Sequence, residues 1–251
     1  MRITLLACAI AAALTANARA DDVAVCGDEA VEGGVVARAV DGRSFLLQDG
    51  REILLAGIEV PSGDQNHLHD LIQGRPVTLR RAEAGPDRYR RVPAFAALAD
   101  GKSLIQHELL TTGQARLGVR IGTSACARSL STAERKARDA KLGLWADPVY
   151  SVRRAAQGRE LLSDVGRFAV VHGEVVSVRE SGGTIYVNFG RRWSEALTVT
   201  ILKRHERAFA EAGVTRSALE KSRLTVRGFI EDRNGPRIEA SRPEQIEISR
   251  N

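Results

Sequence analysis

The sequence predicts an α+β protein, mainly β. The expected architecture is an OB-type five-stranded barrel with packed helices, followed by a second small β-barrel-like, possibly OB-like domain. Three observations carry this. Residues 31–60 alternate apolar and polar positions between Asp-Gly turns. Two further strands and two helical stretches follow before residue 148. After Gly166, strand patterns of the same kind return.

Taken in order, Val35 to Val40 reads as a strand, and Asp41-Gly42 is a turn signal. Ser44 to Leu47 follows, then Asp49-Gly50, then Glu52 to Ile58, the third strand of a meander that Pro61 ends. His67 to Gln73 reads as a short helix with Asp64 as cap. Pro76 to Arg81 and Val92 to Ala99 complete five strands, with Asp100-Gly101 a turn. Leu104 to Gly113 carries apolar positions at helical spacing, and glycine ends it. Thr132 to Leu142 reads as a second helix, capped at Ser131 or Thr132. Five strands and helices in this order suggest a Greek-key barrel.

The second half reads as Phe168 to Val178, Thr184 to Phe189 and Leu197 to Leu202, a helical stretch at 203–212 and another turn of helix at 215–221. Arg223 to Glu231, Ile238 to Glu239 and Ile246 to Ile248 close it, with Asn234-Gly235 a hairpin turn. Glu32 to Phe45 echoes His172 to Tyr186 weakly, as two opening hairpins would.

Composition bounds the function. The chain has 251 residues, 43% apolar and 27% charged, which is enough for a packed core and argues against disorder. Arg2, the apolar stretch Ile3 to Leu14 and Ala18-Arg19-Ala20 read as a secretory signal cleaved after Ala20. Cys8 stands too early in that stretch for a lipid-attachment site. No later run is long enough to span a bilayer. The domains expected are thus a signal peptide at 1–20, a barrel domain at 21–148, a partly helical linker at 149–166 and a β-rich domain at 167–251. The destination is periplasmic or secreted. Cys26 and Cys126 remain after cleavage, and in an oxidising compartment they are expected to pair. The bridge would contribute ~4 kcal/mol in the chain-entropy account. The net charge of +6, arginine-dominated, suits an acidic or phosphate-bearing partner as well as a solvated surface.

Residues 31–146 resemble the micrococcal (staphylococcal) nuclease family. The matching pieces are Val40-Asp41-Gly42-Arg43-Ser44, Leu54 to Pro61, Asp87-Arg88-Tyr89-Arg90-Arg91, Ala99 to Ile105, and Ala133 to Arg138 through Leu142-Gly143-Leu144-Trp145. Residues 168–248 resemble the β-domain that follows it in some bacterial proteins. The family cleaves nucleic-acid phosphodiesters with one Ca²⁺. Acidic side chains and a carbonyl hold the ion, a glutamate positions water, and two arginines bind phosphate.

Carried over, the first calcium aspartate falls at Arg43, the second at Glu59 and the carbonyl ligand at Val60. The first phosphate arginine falls at Leu54 and the base glutamate at Ser62. The second phosphate arginine is kept as Arg91, with Arg88 and Tyr89 at the family's phosphate-contacting lysine and tyrosine. Glu59 and Arg91 alone survive of the catalytic set, so enzyme activity is left open. Arg43 is expected to pair with Glu59 in the ion's place, and Arg43, Arg88, Tyr89 and Arg91 to form a phosphate-binding pocket lacking a base. No metal or other cofactor is expected. Ca²⁺ enters only if Asp41, Asp49 or Asp64 rebuild the site as a DNA or RNA endonuclease.

Three functions follow: a catalytically impaired module binding nucleic acid or another phosphate ligand, a nuclease with a rearranged site, and a module binding an envelope protein. His67 and His69 form an HxH pair that reads as a polar helix start. In the second domain Tyr186 and Trp193 are candidate stacking residues beside Arg191 and Arg192, while Phe189 reads as core.

Overall fold

The computed structural model describes residues 26–27, 29–61, 66–99 and 103–249. The signal segment, Ser62, Asp64 and the Asp100-Gly101 turn lie outside them. Strands β1 (Ala30–Asp41), β2 (Ser44–Leu47), β3 (Glu52–Leu55), β5 (Pro76–Arg81) and β6 (Val92–Leu98) form a closed barrel in the order β1-β2-β3-β6-β5. The β3–β6 pairing is parallel and the other described barrel pairings are antiparallel. Alternation explains the closure: Phe45, Leu47, Ile53, Leu55, Val77 and Leu79 point inward and are buried.

The third strand is shorter than its apolar run suggests. Gly57 at φ 78° turns the chain after Leu55, and Ile58–Glu59 becomes a separate strand, β4. β4 pairs with β7 (Arg116–Leu117), setting Glu59 opposite Arg116. Helix α1 (Asn66–Ile72) buries Leu68 and Ile72, and α2 (Ile105–Thr111) buries Ile105, Leu109 and Leu110.

The next helix, α3 (Ser124–Asp139), starts eight residues before the expected position and ends three before it. Its cap is Thr123, whose hydroxyl accepts from Cys126 N–H. Thr132 sits in mid-helix and donates to the Arg128 carbonyl at 2.9 Å, the bond back to the preceding turn that satisfies a threonine hydroxyl inside a helix. Lys136 and Arg138 in the last turn complement the helix dipole. A disulfide joins Cys126 to Cys26 across a separation of 100 residues.

Residues 149–166, read as a linker, fold onto the second half. β8 (Arg153–Arg154) pairs in parallel with β9 (Phe168–Glu174), and α4 (Gly158–Leu162) buries Leu161. The Arg153 guanidinium donates to Asp164 at 2.8 Å and to the Pro148 and Val149 carbonyls. The run expected as one strand at 168–178 divides into β9 and β10 (Ser177–Ser181).

β10, β11 (Thr184–Asn188), β12 (Thr198–Leu202), β14 (Glu231–Asp232) and β15 (Pro236–Glu239) form one sheet, in the order β10-β11-β12-β15-β14. β13 (Arg223–Phe229), β16 (Ile246–Ser249), β9 and β8 form a second, in the order β16-β13-β9-β8. Val171, Val187, Val199, Leu224, Val226 and Ile238 fill one core shared by the two sheets. The short helices α5 (Glu206–Glu211) and α6 (Arg216–Leu219) add Phe209 and Leu219 to it.

The two units are joined by more than the chain. Ala137 of α3 and Trp145 pack with Phe168 and Val170 of β9. Arg227 on β13 is fully buried and donates to Glu134 of α3 at 2.8 Å, to Glu247 of β16 and to the Leu117 carbonyl. Glu134 also accepts from Leu117 N–H at 2.7 Å. Burial alone would lower the Arg227 pKa, but the two carboxylates outweigh it and hold the guanidinium above its ordinary value.

Candidate functional site

Glu59 is placed by the Gly57 turn on β4, just past the barrel strand β3. Arg43, in the β1–β2 turn, reaches it: Nη1 donates to Glu59 Oε2 at 2.9 Å and to the Ile58 carbonyl at 3.3 Å. The turn is itself fixed by Asp41, whose carboxylate accepts from Arg43 N–H at 2.8 Å. On the other side stands Arg116, the strand partner of Glu59. Its Nη1 donates to the Phe168 carbonyl at 3.1 Å, and its guanidinium lies over the Tyr150 and Phe168 rings at 5.3 and 5.1 Å. Burial lowers the Arg116 pKa, with Glu134 and Glu59 acting against that shift.

The Glu59 carboxylate is therefore ion-paired with Arg43 and within electrostatic reach of Arg116. A hard divalent cation takes six to eight oxygen ligands. The described residues around Glu59 do not fit that requirement, and among them no group of three or more His, Cys, Asp or Glu could hold a metal. Asp41 serves the turn, and Asp49 is held by Arg51 at 2.6 Å, which keeps its carboxyl below the usual range. His67 and His69 lie exposed on α1.

Arg88, Tyr89 and Arg91 occupy the β5–β6 loop. Asp87 organises that loop: its carboxylate accepts from the N–H groups of Tyr89 and Arg91 and from Arg91 Nε, all within 3.0 Å. Burial would raise the Asp87 carboxyl, and these bonds from Arg91 and Tyr89 overcome it, leaving it below its ordinary value. The Arg88 and Arg91 guanidiniums both lie over the Tyr89 ring, 4.7 and 5.2 Å from its centroid. Arg88 has no carboxylate partner among the described residues.

Arg43 and this loop stand on strands separated by β3. Ser44, Leu54 and Pro93 share one rung, so the Arg43 and Arg91 backbones lie on the order of 14 Å apart. Each of these two arginines is engaged by its own carboxylate. The expected four-residue pocket is thus two separate stations on the barrel.

Glu59 also lines a crevice of about 480 Å³ whose far wall is the second unit, including Arg153, Phe168 and Phe229. Sequence reasoning missed Arg116 and this wall. Their approach depends on strand register and on packing between units, and neither leaves a local pattern.

In the second unit Tyr186 and Trp193 line the same groove, of about 1000 Å³. Phe189 is core, at 4% exposure.

A closed five-stranded barrel with helices packed after it defines a nuclease-like OB architecture. Residues 62–147, about a third of the chain, match the family described as staphylococcal nuclease homologue. In this region the chain is similar to the micrococcal nuclease family. The match begins after Pro61, so β1–β4 with Arg43 and Glu59 precede it. No curated protein matches the chain.

Proposed function

We propose that the protein is an exported, nuclease-derived module that binds phosphate-bearing chains, nucleic acid foremost, without calcium-dependent hydrolysis. The observation that carries this is the Arg43–Glu59 pair at 2.9 Å, backed by Arg116. Arg43 provides positive charge where the family's reaction needs an ion, yet a guanidinium cannot activate water. Arg88 and Arg91, flanking Tyr89, present guanidinium edges suited to phosphate oxygens. The disulfide fits an oxidising compartment, and no helix among the described residues is long and apolar enough to cross a membrane.

The test is cleavage. The oxidised protein, incubated with fluorogenic single-stranded DNA and RNA in Ca²⁺ or in EDTA, is expected to show no turnover above an Arg91→Ala control. Calorimetric titration with CaCl₂ should give no binding heat. Calcium-dependent turnover that Arg91→Ala abolishes would overturn the proposal. Binding of the same oligonucleotides should weaken with salt, and Arg91→Ala should reduce the log–log slope by roughly 0.7.

A further inference from the structure

We infer that the groove on the second unit is a separate binding site for single-stranded polynucleotide, in which unpaired bases stack on Tyr186 and Trp193 while Arg179 and Arg191 hold phosphates. This goes beyond the barrel's proposed role and uses none of its residues.

The floor is the polar face of the β10-β11-β12-β15-β14 sheet. Register places Arg179 beside Tyr186, and Tyr186 beside Thr200. Two residues along, Ser177, Asn188, Thr198 and Arg237 form the neighbouring rung. Ile185 and Val187 point the other way into the core, so Tyr186 must face the groove. Asn188 donates to Ser177 and accepts from Thr198, both at 3.2 Å, which holds the floor rigid.

Trp193 stands over this floor on an anchored loop, 64% exposed. The Gly158 N–H donates to Glu195 O, and Arg192 pairs with Glu195, fixing the loop's far end. Gly235 at φ 142° lies so close beneath that a Cβ there would sit 2.0 Å from the Trp193 carbonyl oxygen. A large ring is thus held in solvent by backbone contacts rather than left on a free tail.

The charge balance selects the ligand. Glu180 lines the groove but is bound by Lys203 and Arg216, whose hydrogen bonds lower its pKa. Arg237 is paired with Glu231 at 2.7 Å. Arg179 and Arg191 line the groove with no ion-pair partner among the described residues. Two uncompensated guanidiniums beside two aromatic rings match a phosphate backbone carrying bases. The bases must be unpaired, because a duplex hides their faces.

Tryptophan fluorescence provides the test, since the chain has only two tryptophans and Trp145 is buried at 6% exposure. Oligothymidylate should quench emission from the oxidised protein, and Trp193→Phe should abolish that quench while preserving affinity. By fluorescence anisotropy, Tyr186→Ala and Trp193→Ala should each weaken binding roughly 5- to 150-fold. Arg179→Gln with Arg191→Gln should reduce the salt slope by about 1.4. Both aromatics are partly solvent-facing, and unchanged circular dichroism and melting would show that the variants fold. Arg91→Ala separates the two sites. Binding that fails in Arg91→Ala yet survives the groove variants would overturn this inference and leave the barrel proposal standing. Calcium-dependent cleavage would overturn the barrel proposal and leave this one standing if the groove variants still lose affinity. An absent quench, or equal competition by a base-free polyphosphate, would also overturn it.

Discussion

The barrel end and the second-unit groove both gather arginines, but they dispose of the charge differently. In the barrel, Arg43 is held by Glu59 and Arg91 by Asp87, at 2.9 and 2.7 Å. In the groove the carboxylates are already occupied by other cations, and Arg179 and Arg191 are left facing solvent. Arg43 and Arg91 are thus neutralised where they stand, whereas Arg179 and Arg191, like Arg88 in the barrel loop, have no carboxylate partner among the described residues. A motif-based reading, which asks only whether an arginine is present, does not distinguish the two. What distinguishes them is the carboxylate count within reach.

That contrast can be strained at several points. The largest effect is expected from removing the disulfide. Cys26→Ser with Cys126→Ser should cost about 4–5 kcal/mol, given the 100-residue separation. A urea titration of the double variant checks this, and a single shifted transition would show that the two regions melt together. Glu134→Ala comes next, at about 3–5 kcal/mol, because it leaves Arg227 buried with one fewer counter-charge. Differential scanning calorimetry should show both units destabilised, whereas loss confined to the barrel would mean the units are energetically independent. Arg43→Asp should then make the barrel end acidic. Calorimetry with CaCl₂ is expected to show weak heat in this variant and none in the parent, weak because Arg116 remains beside Glu59.

The smallest effect is a pH dependence that makes the barrel resemble the groove. The Asp87 carboxyl is lowered in the folded state, so its pair with Arg91 stabilises the protein above the ordinary aspartate pKa. That contribution is lost as pH falls through the lowered folded value. Carboxyl NMR titration of Asp87 should show a midpoint below ~3.9, the ordinary aspartate value. A midpoint at or above it would mean that the bonds from Arg91 and Tyr89 do not outweigh the burial of Asp87.

The five barrel strands were legible from their apolar runs and from the Asp-Gly and proline signals between them, although the third run is cut short at Gly57 and the last, Val92–Leu98, is apolar throughout rather than alternating. The pairing of Arg43 with Glu59 was legible through charge complementarity at the two positions that the resemblance singles out. The start of α3 was not, because Ser131 and Thr132 imitate a cap that Thr123 supplies. Nor was the role of residues 149–166, whose strand is two residues long and gains its identity from β9. The Arg227–Glu134 pair spans 93 positions, and nothing near either residue announces the other. Tyr186 and Trp193 were legible as candidates, but their shared groove needed the Gly235 turn.

Helix α3 has a consequence for how the chain is assembled. The helix is tied to Cys26 at its first turn, and Ser131 donates to Glu247 at 3.1 Å. The barrel's buried Glu134 has Arg138 of its own helix 3.7 Å away, but its nearer counter-ion, Arg227 at 2.8 Å, arrives only when β13 has formed, and Arg227 is in turn shared with Glu247 of β16. A fragment ending near residue 150 would leave Glu134 with Arg138 alone, 3.7 Å away, and the complementary fragment would leave Arg227 with Glu247 alone. The two pieces should therefore recognise each other when mixed, as halves of one electrostatic lock rather than as two beads on a string.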